Sequence, residues 1–225
     1  MTSGWMRSKT RRRPFVRRRS VDGAPPCEYE LVGTLTGNCV RAAIALEIAG
    51  ISYRVRRIDL GAGQQHDPHH LDLNPAGKVP VLTNVDAAPA FVLTQSNAIV
   101  LFAAERAPAL LLPGDATARV RAYERYFQVV TDIIGPSHAG FHLRDPAARS
   151  VLDGMALDAV HQLERVLADH AFLAGPRFSI ADIAGFTIIR TLLAGRDDAY
   201  LPAVAAWLAR VGAMAAVQRG LAAFS

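Results

Sequence analysis

Pro80 restricts this chain more than any other residue. It stands at the head of the apolar run Val79 to Thr83, inside Asn74-Pro75-Ala76-Gly77-Lys78-Val79-Pro80-Val81-Leu82. Proline has no backbone N–H, so a sheet tolerates it at the first residue of a strand or at an edge. Two arrangements meet that condition. A cis Val79-Pro80 bond turns the chain and leaves the N–H and C=O of Val79 free to pair with an extended peptide, as when a strand is added to a sheet. An ordinary turn ahead of a strand meets it equally well and involves no ligand.

The segments around Pro80 read as alternating strands and helices. Glu28 to Leu35 is a short strand, and Val40, Ile44 and Ile48 then recur as a helical stripe that Gly50 is placed to stop. Ile51, Tyr53 and Val55 alternate as a second strand, so the unit is βαβ and its crossover makes the two strands parallel. A polar loop, Gly61 to His70, follows. Val79 to Thr83 and Phe91 to Leu93 are two further strands, with Asn84 to Ala90 as a hairpin loop, and a helix runs from Ser96 to Arg106.

Beyond the linker Pro108 to Gly114 the pattern is helical. Val120, Tyr123, Phe127 and Val130 share one face; Asp145-Pro146 supplies an N-cap and a first-turn proline; Leu157, Val160, Leu163 and Leu167 form the next stripe. Ser179-Ile180-Ala181-Asp182 is a capping box, with Phe178 and Ile183 positioned as its staple. The expected fold class is α/β plus all-α: a βαβ-ββα half over residues 28–107, a linker over 108–116 and a helical bundle over 117–225.

Composition narrows the function. Apolar residues make up 51% of the 225, enough for a sizeable core. No apolar run approaches the roughly 18 residues that a bilayer span requires. Cys27 and Cys39 are too few for a disulfide framework, which suits a reducing, cytoplasmic compartment. The net charge of +5 arises from the first 20 residues, which hold eight of the 25 basic residues and no acid; the remaining 17 face 20 acidic residues. Residues 1–27 therefore read as a basic, disordered tail, and any argument from charge to nucleic acid rests on that tail alone. Arg12-Arg13 superficially suggests an export signal, but no apolar segment follows it.

Gln95-Ser96-Asn97-Ala98-Ile99 opens a helix that Ser96 is able to cap, and the free N–H groups there attract a carboxylate; a plain cap without a ligand fits the same pattern. His66, His69 and His70 lack a further ligand at a useful spacing, so no metal site is expected.

Taken in order, Asn-Pro-x-Gly-Lys-Val-Pro-x-Leu and Gln-Ser-x-Ala-Ile, after a βαβ unit and before a helical half, resemble the glutathione S-transferase family over about residues 28–220. The resemblance implies a thioredoxin-like first half that grips glutathione as co-substrate, with a small electrophile as second substrate, a homodimer, and no membrane partner. It assigns the cysteinyl backbone contact to Val79 and the γ-glutamyl end to Gln95 and Ser96. Gly63-Gln64-Gln65-His66 is similar to the loop that meets the glycyl carboxylate in theta- and zeta-like members, which points to Gln65, with Lys78 adding charge. A solvated polar loop reads the same way.

Glutathione must react as a thiolate, and a free thiol ionises only near pH 8.5, so its surroundings must favour the anion. The family places a Ser, Cys or Tyr near the start of the first helix. Matching Ile44-Ala45-Leu46 puts Thr36 at that position, with Asn38 offering an amide donor and the helix start adding N–H groups. A Thr and Asn pair of this kind is similar to nu-like bacterial members; a Thr36 that only caps the helix fits as well. Cys39 occupies the second cysteine position of a Cys-x-x-Cys whose first is replaced, and reads as a small apolar filler. Tyr123, Tyr126, Phe127, His138, Phe141 and His142 are available for the electrophile. Two alternatives remain: a zeta-like glutathione-dependent isomerase, against which the absence of Ser-Ser-Cys counts, and a non-catalytic interaction module, favoured only by the tail.

Overall fold

The computed structural model describes residues 28–84, 90–196 and 200–225. The basic tail with Cys27, and most of the expected hairpin loop Asn84 to Ala90, lie outside the described residues.

Strands β1 (Tyr29–Gly33), β2 (Tyr53–Arg57), β3 (Val81–Asn84) and β4 (Phe91–Leu93) form one sheet in the order β2-β1-β3-β4. β1 is parallel to β2 and antiparallel to β3, and β3 is antiparallel to β4. Helix α1 (Gly37–Ala49) makes the crossover, α2 (Pro68–Leu73) follows a 3-10 turn at Gln64–His66, and α3 (Ser96–Arg106) closes the first half. The βαβ-ββα reading is therefore observed. Successive residues of β1 point to opposite faces, so Leu31 packs with Leu82, Ile99 and Phe224, while Val32 packs with Ile58 and Val81.

Helix α1 is buried continuously from Cys39 to Leu46. One side meets the sheet through Ala42, Ala43 and Leu46, and the other joins the helical half through Ile44 and Ala45. A helix enclosed in this way reads as apolar all round, and Arg41 is the exception within it. Gly50 ends the helix in the left-handed region at φ 66°.

The second half comprises α4 (Pro108–Leu111), α5 (Ala116–Gln128), a π-helical turn (Val129–Ile134), α6 (Gly135–His142), α7 (Pro146–Asp169), α8 (Ile180–Leu192), α9 (Pro202–Gly212) and α10 (Ala215–Ala222). The segment expected as a linker contains α4, whose Leu111 is buried with Leu112 in the helical core. The face of α5 differs from expectation. Val120 and Phe127 are exposed at 66% and 53%, and the core instead takes Ala122, Tyr126, Val129 and Ile133. The aromatic ring of Tyr126 faces inward because its hydroxyl donates to the Asn97 carbonyl, and small Ala122 lets the helix approach. On α7, Val160, Leu163 and Leu167 are buried as the stripe implies, and Asp145 caps the helix by accepting from the Ala147 N–H.

Helix α10 returns to the first half. A Cβ on Gly220 would lie 2.6–2.7 Å from the side chain and backbone of Ile44, so only glycine permits this contact with α1. The exposed Arg219–Glu47 ion pair lies alongside it. No helix of the described residues is long and apolar enough to cross a membrane.

Candidate functional site

The sheet register gathers the chemistry at one rim. Val32 pairs with Val81, and Leu82 pairs with Leu93. The chain leaving β1 toward Thr36, the chain entering β3 through Val79-Pro80, and the chain leaving β4 toward Ser96 therefore emerge side by side.

At the first of these, Thr36 is the N-cap of α1. Its hydroxyl oxygen accepts from the Cys39 N–H at 3.3 Å, which leaves the hydroxyl proton available to donate elsewhere. Asn38 accepts through Oδ1 from Arg41 Nη1 at 2.8 Å, so its Nδ2 donors are not used by that contact.

At the second, the Val79-Pro80 bond is cis, which decides between the two arrangements that Pro80 allows. No hydrogen bond to the Val79 backbone is formed among the described residues. The preceding carbonyl, of Lys78, is clamped instead: it accepts from His70 Nε2 at 3.0 Å and from Asn74 Nδ2 at 2.7 Å. A carbonyl only accepts, so the His70 proton sits on Nε2. Gly77 has φ 60°, and a Cβ there would come within 2.8 Å of the His66 ring. The Gln64–His66 turn is thereby seated against the motif. Gln64 accepts from the Asp59 N–H, whereas Gln65 keeps a buried Oε1 without a partner. The exposed Lys78 side chain lies at the same edge. Gly77→Ala is expected to cost about 1–2 kcal/mol, from the left-handed backbone and the displaced His66. Urea unfolding measures it; an unchanged midpoint would show that the turn adjusts freely.

At the third, Gln95 is exposed and is itself the N-cap residue of α3, with no side-chain cap bond. Ser96 therefore does not cap the helix. It is the first helical residue, and its Oγ accepts from Arg41 Nη1 at 3.2 Å.

Within this geometry the comparisons are specific. Residues 29–105 match the model for the glutathione S-transferase N-terminal domain. Glutathione S-transferase 3 of Zea mays is 31% identical over 211 residues, covering 84% of this chain and 90% of that protein. The chain belongs to the glutathione S-transferase family. The disulfide-bond oxidoreductase YfcG of Escherichia coli (strain K12) is 29% identical over 198 residues, covering 83% of this chain and 91% of its own. A glutathione transferase family member from Pseudomonas fluorescens pf-5, whose crystal structure holds two glutathione molecules, superimposes with a TM-score of 0.76 at 26% identity, covering 87% of this chain and 92% of that one.

Several residues of this glutathione S-transferase rim escaped sequence reasoning. Arg41 is the foremost: it is 1% exposed, and one nitrogen serves both Asn38 and Ser96. The only available signal was a charge inside an apolar helical run. His70 and Asn74 were missed as the clamp on Lys78, because their target is a backbone carbonyl that carries no mark in the sequence.

Of the aromatic and histidine candidates, Tyr126 is buried and its hydroxyl is bonded to Asn97, so it belongs to the core. His138 and His142 pack edge to face with ring centres 4.9 Å apart. Burial lowers the His138 pKa, and the charges of His142, Lys78 and Arg41 lower it further, which favours a neutral imidazole. Cys39 is fully buried, and burial raises its pKa despite hydrogen bonding with Thr36, so its sulfur is a filler against Gly33 rather than a nucleophile.

Proposed function

We propose that this protein binds glutathione along the rim and activates its thiol. Val79 pairs its free backbone groups with the cysteinyl unit, Gln95 and Ser96 hold the γ-glutamyl end, and Gln65 with Lys78 meets the glycyl carboxylate. Thr36 donates its hydroxyl proton to the sulfur, Asn38 turns its amide donors the same way, and the free N–H groups at the start of α1 add positive potential. The single observation that carries this reading is the convergence of Thr36, the cis Val79-Pro80 turn and Ser96 at one end of the sheet. The thiolate then attacks a small electrophilic carbon in a transfer of alkyl or aryl groups. A homodimer belongs to the same reading, with the exposed Val120 and Phe127 as apolar surface for a second copy to cover.

Calorimetric titration of glutathione, beside a Ser96→Ala variant, tests the site. Saturable binding to the wild type, weakened about tenfold in the variant by loss of one polar contact to a carboxylate, is the expected result. Absence of binding at millimolar glutathione would sink the transferase reading and leave an interaction module.

The similarity to the E. coli disulfide-bond oxidoreductase favours a second reaction at the same site. With Thr36 where a redox protein would place a cysteine, and Cys39 buried, both electrons would come from glutathione, one from each of two molecules. One thiolate attacks the disulfide, forming a mixed disulfide and expelling a thiolate. A second glutathione attacks the mixed disulfide, releasing oxidised glutathione and the other thiol. Parallel assays with an aryl halide and a small disulfide separate the two reactions.

A further inference from the structure

Arg41 has the features of an electrostatic element that lacks its counter-charge. Its side chain is 1% exposed, yet among the described residues no carboxylate pairs with it. Its polar partners, the Asn38 amide and the Ser96 hydroxyl, are neutral, and its Nε is buried with no partner at all. The ionisable groups that face it do not compensate either. Tyr126 from α5 is a phenol whose ionisation burial suppresses; His138 from α6 is pushed toward neutrality. Burial draws the Arg41 guanidinium down to about 10, which still leaves it charged at neutral pH. An unpaired buried charge is costly, and a bound anion relieves it.

We propose that Arg41 is a positioning residue that couples glutathione binding to ionisation of its thiol, holding Asn38 and Ser96 in one frame and supplying the positive charge that the bound anion completes. This rests on the proposed glutathione reading. Ser96 stands at the γ-glutamyl end and Asn38 at the sulfur end, so a single guanidinium nitrogen spans the two places where glutathione brings negative charge. Because the charge acts through desolvated neighbours rather than through bulk water, screening by salt is weak.

Arg41→Met keeps much of the volume and removes the charge. Replacing an uncompensated buried ion by an apolar side chain is often neutral or stabilising, so the variant is expected to fold. The thiolate ultraviolet band of bound glutathione, followed against pH at saturating glutathione, gives the ionisation midpoint in wild type and variant. The expected result is a rise of about one pH unit in Arg41→Met, with kcat/KM for glutathione about tenfold lower at neutral pH and converging with wild type at high pH. Arg41→Lys, which retains the charge, is expected to recover most of the midpoint. An unchanged midpoint in Arg41→Met overturns the proposal and makes Arg41 structural, while leaving the glutathione reading intact. If Arg41→Met does not fold, Arg41→Gln removes the charge while keeping a donor, and an unchanged midpoint there overturns the proposal equally. A wild type that binds no glutathione overturns both readings together.

Discussion

Asp182→Ala is expected to cost about 4 kcal/mol or more, a large share of the stability of an ordinary domain. Asp182 is fully buried, and its carboxylate is the hub of the helical half. Oδ1 accepts from the Leu173 N–H at 2.9 Å and the Trp207 indole at 2.8 Å; Oδ2 accepts from the Ser179 N–H at 2.9 Å and the Ser179 hydroxyl at 3.2 Å. Truncation strands buried donors from three segments at once, each worth about 1–3 kcal/mol when left unmade. It also opens a cavity beside Trp207, which is itself fully buried.

The same carboxylate gives the loss a sign with pH. Burial pushes the Asp182 pKa up to about 6, against the pull of its donors. A raised folded-state pKa means the folded protein holds the proton more tightly than the unfolded chain. The stability that this contributes is fully present below about pH 4 and is lost as pH rises through about 6, by about 3 kcal/mol in all. Asp182→Asn removes that dependence but turns an amide N–H₂ toward two of the donors, so it is expected to fall between wild type and alanine. Denaturant unfolding at two pH values checks both points. Near-wild-type stability of Asp182→Ala would mean that water replaces the carboxylate.

Thr36→Ala is expected to lower kcat/KM about a hundredfold or more while leaving glutathione binding nearly unchanged. The hydroxyl oxygen already accepts from the Cys39 N–H, which fixes the Thr36 side chain at the start of α1. Removing one preorganised donor to a developing or resident anion typically costs that much. The N-cap is lost as well, at about 1 kcal/mol of stability, so thermal unfolding must be measured alongside the kinetics. Thr36→Ser retains both functions and is expected to stay within a few-fold of wild type. A Thr36→Ala enzyme that is merely less stable, with kinetics intact, would reduce Thr36 to a helix cap and shift the thiolate contact to Asn38 and the backbone.

The parts of this protein that were legible in the sequence share a property: each depends on residues close to it along the chain. The Ser179–Asp182 capping box, the Asp145-Pro146 helix start and the Gly50 stop are local hydrogen-bond arrangements, and all are observed. The parallel pairing of the first two strands followed from the βαβ crossover, and the proline of the Pro80 motif stands immediately before β3 as a strand start requires. Thr36 caps the start of α1, a local feature, whereas its assignment to the thiolate, with Asn38, rests on the family resemblance.

What failed was decided across the fold. Ser96 reads as a helix cap, but Gln95 takes that place and Arg41, 55 residues away, takes the Ser96 hydroxyl. Val120 and Phe127 read as one apolar face with Tyr123 and Val130, yet Tyr126 turns inward to a carbonyl 29 residues away and leaves Val120 and Phe127 outside. Helical periodicity shows that one face is apolar; it does not say which neighbour will cover it.

By itself, then, the sequence determined the strands and helices of the first half, the helical character of the second and the family, because short-range hydrogen bonding and alternation write these into adjacent residues. Only the tertiary structure decided that Arg41 is buried, with no carboxylate partner among the described residues, and tied to Asn38 and Ser96, because burial and charge compensation depend on which distant segments pack together.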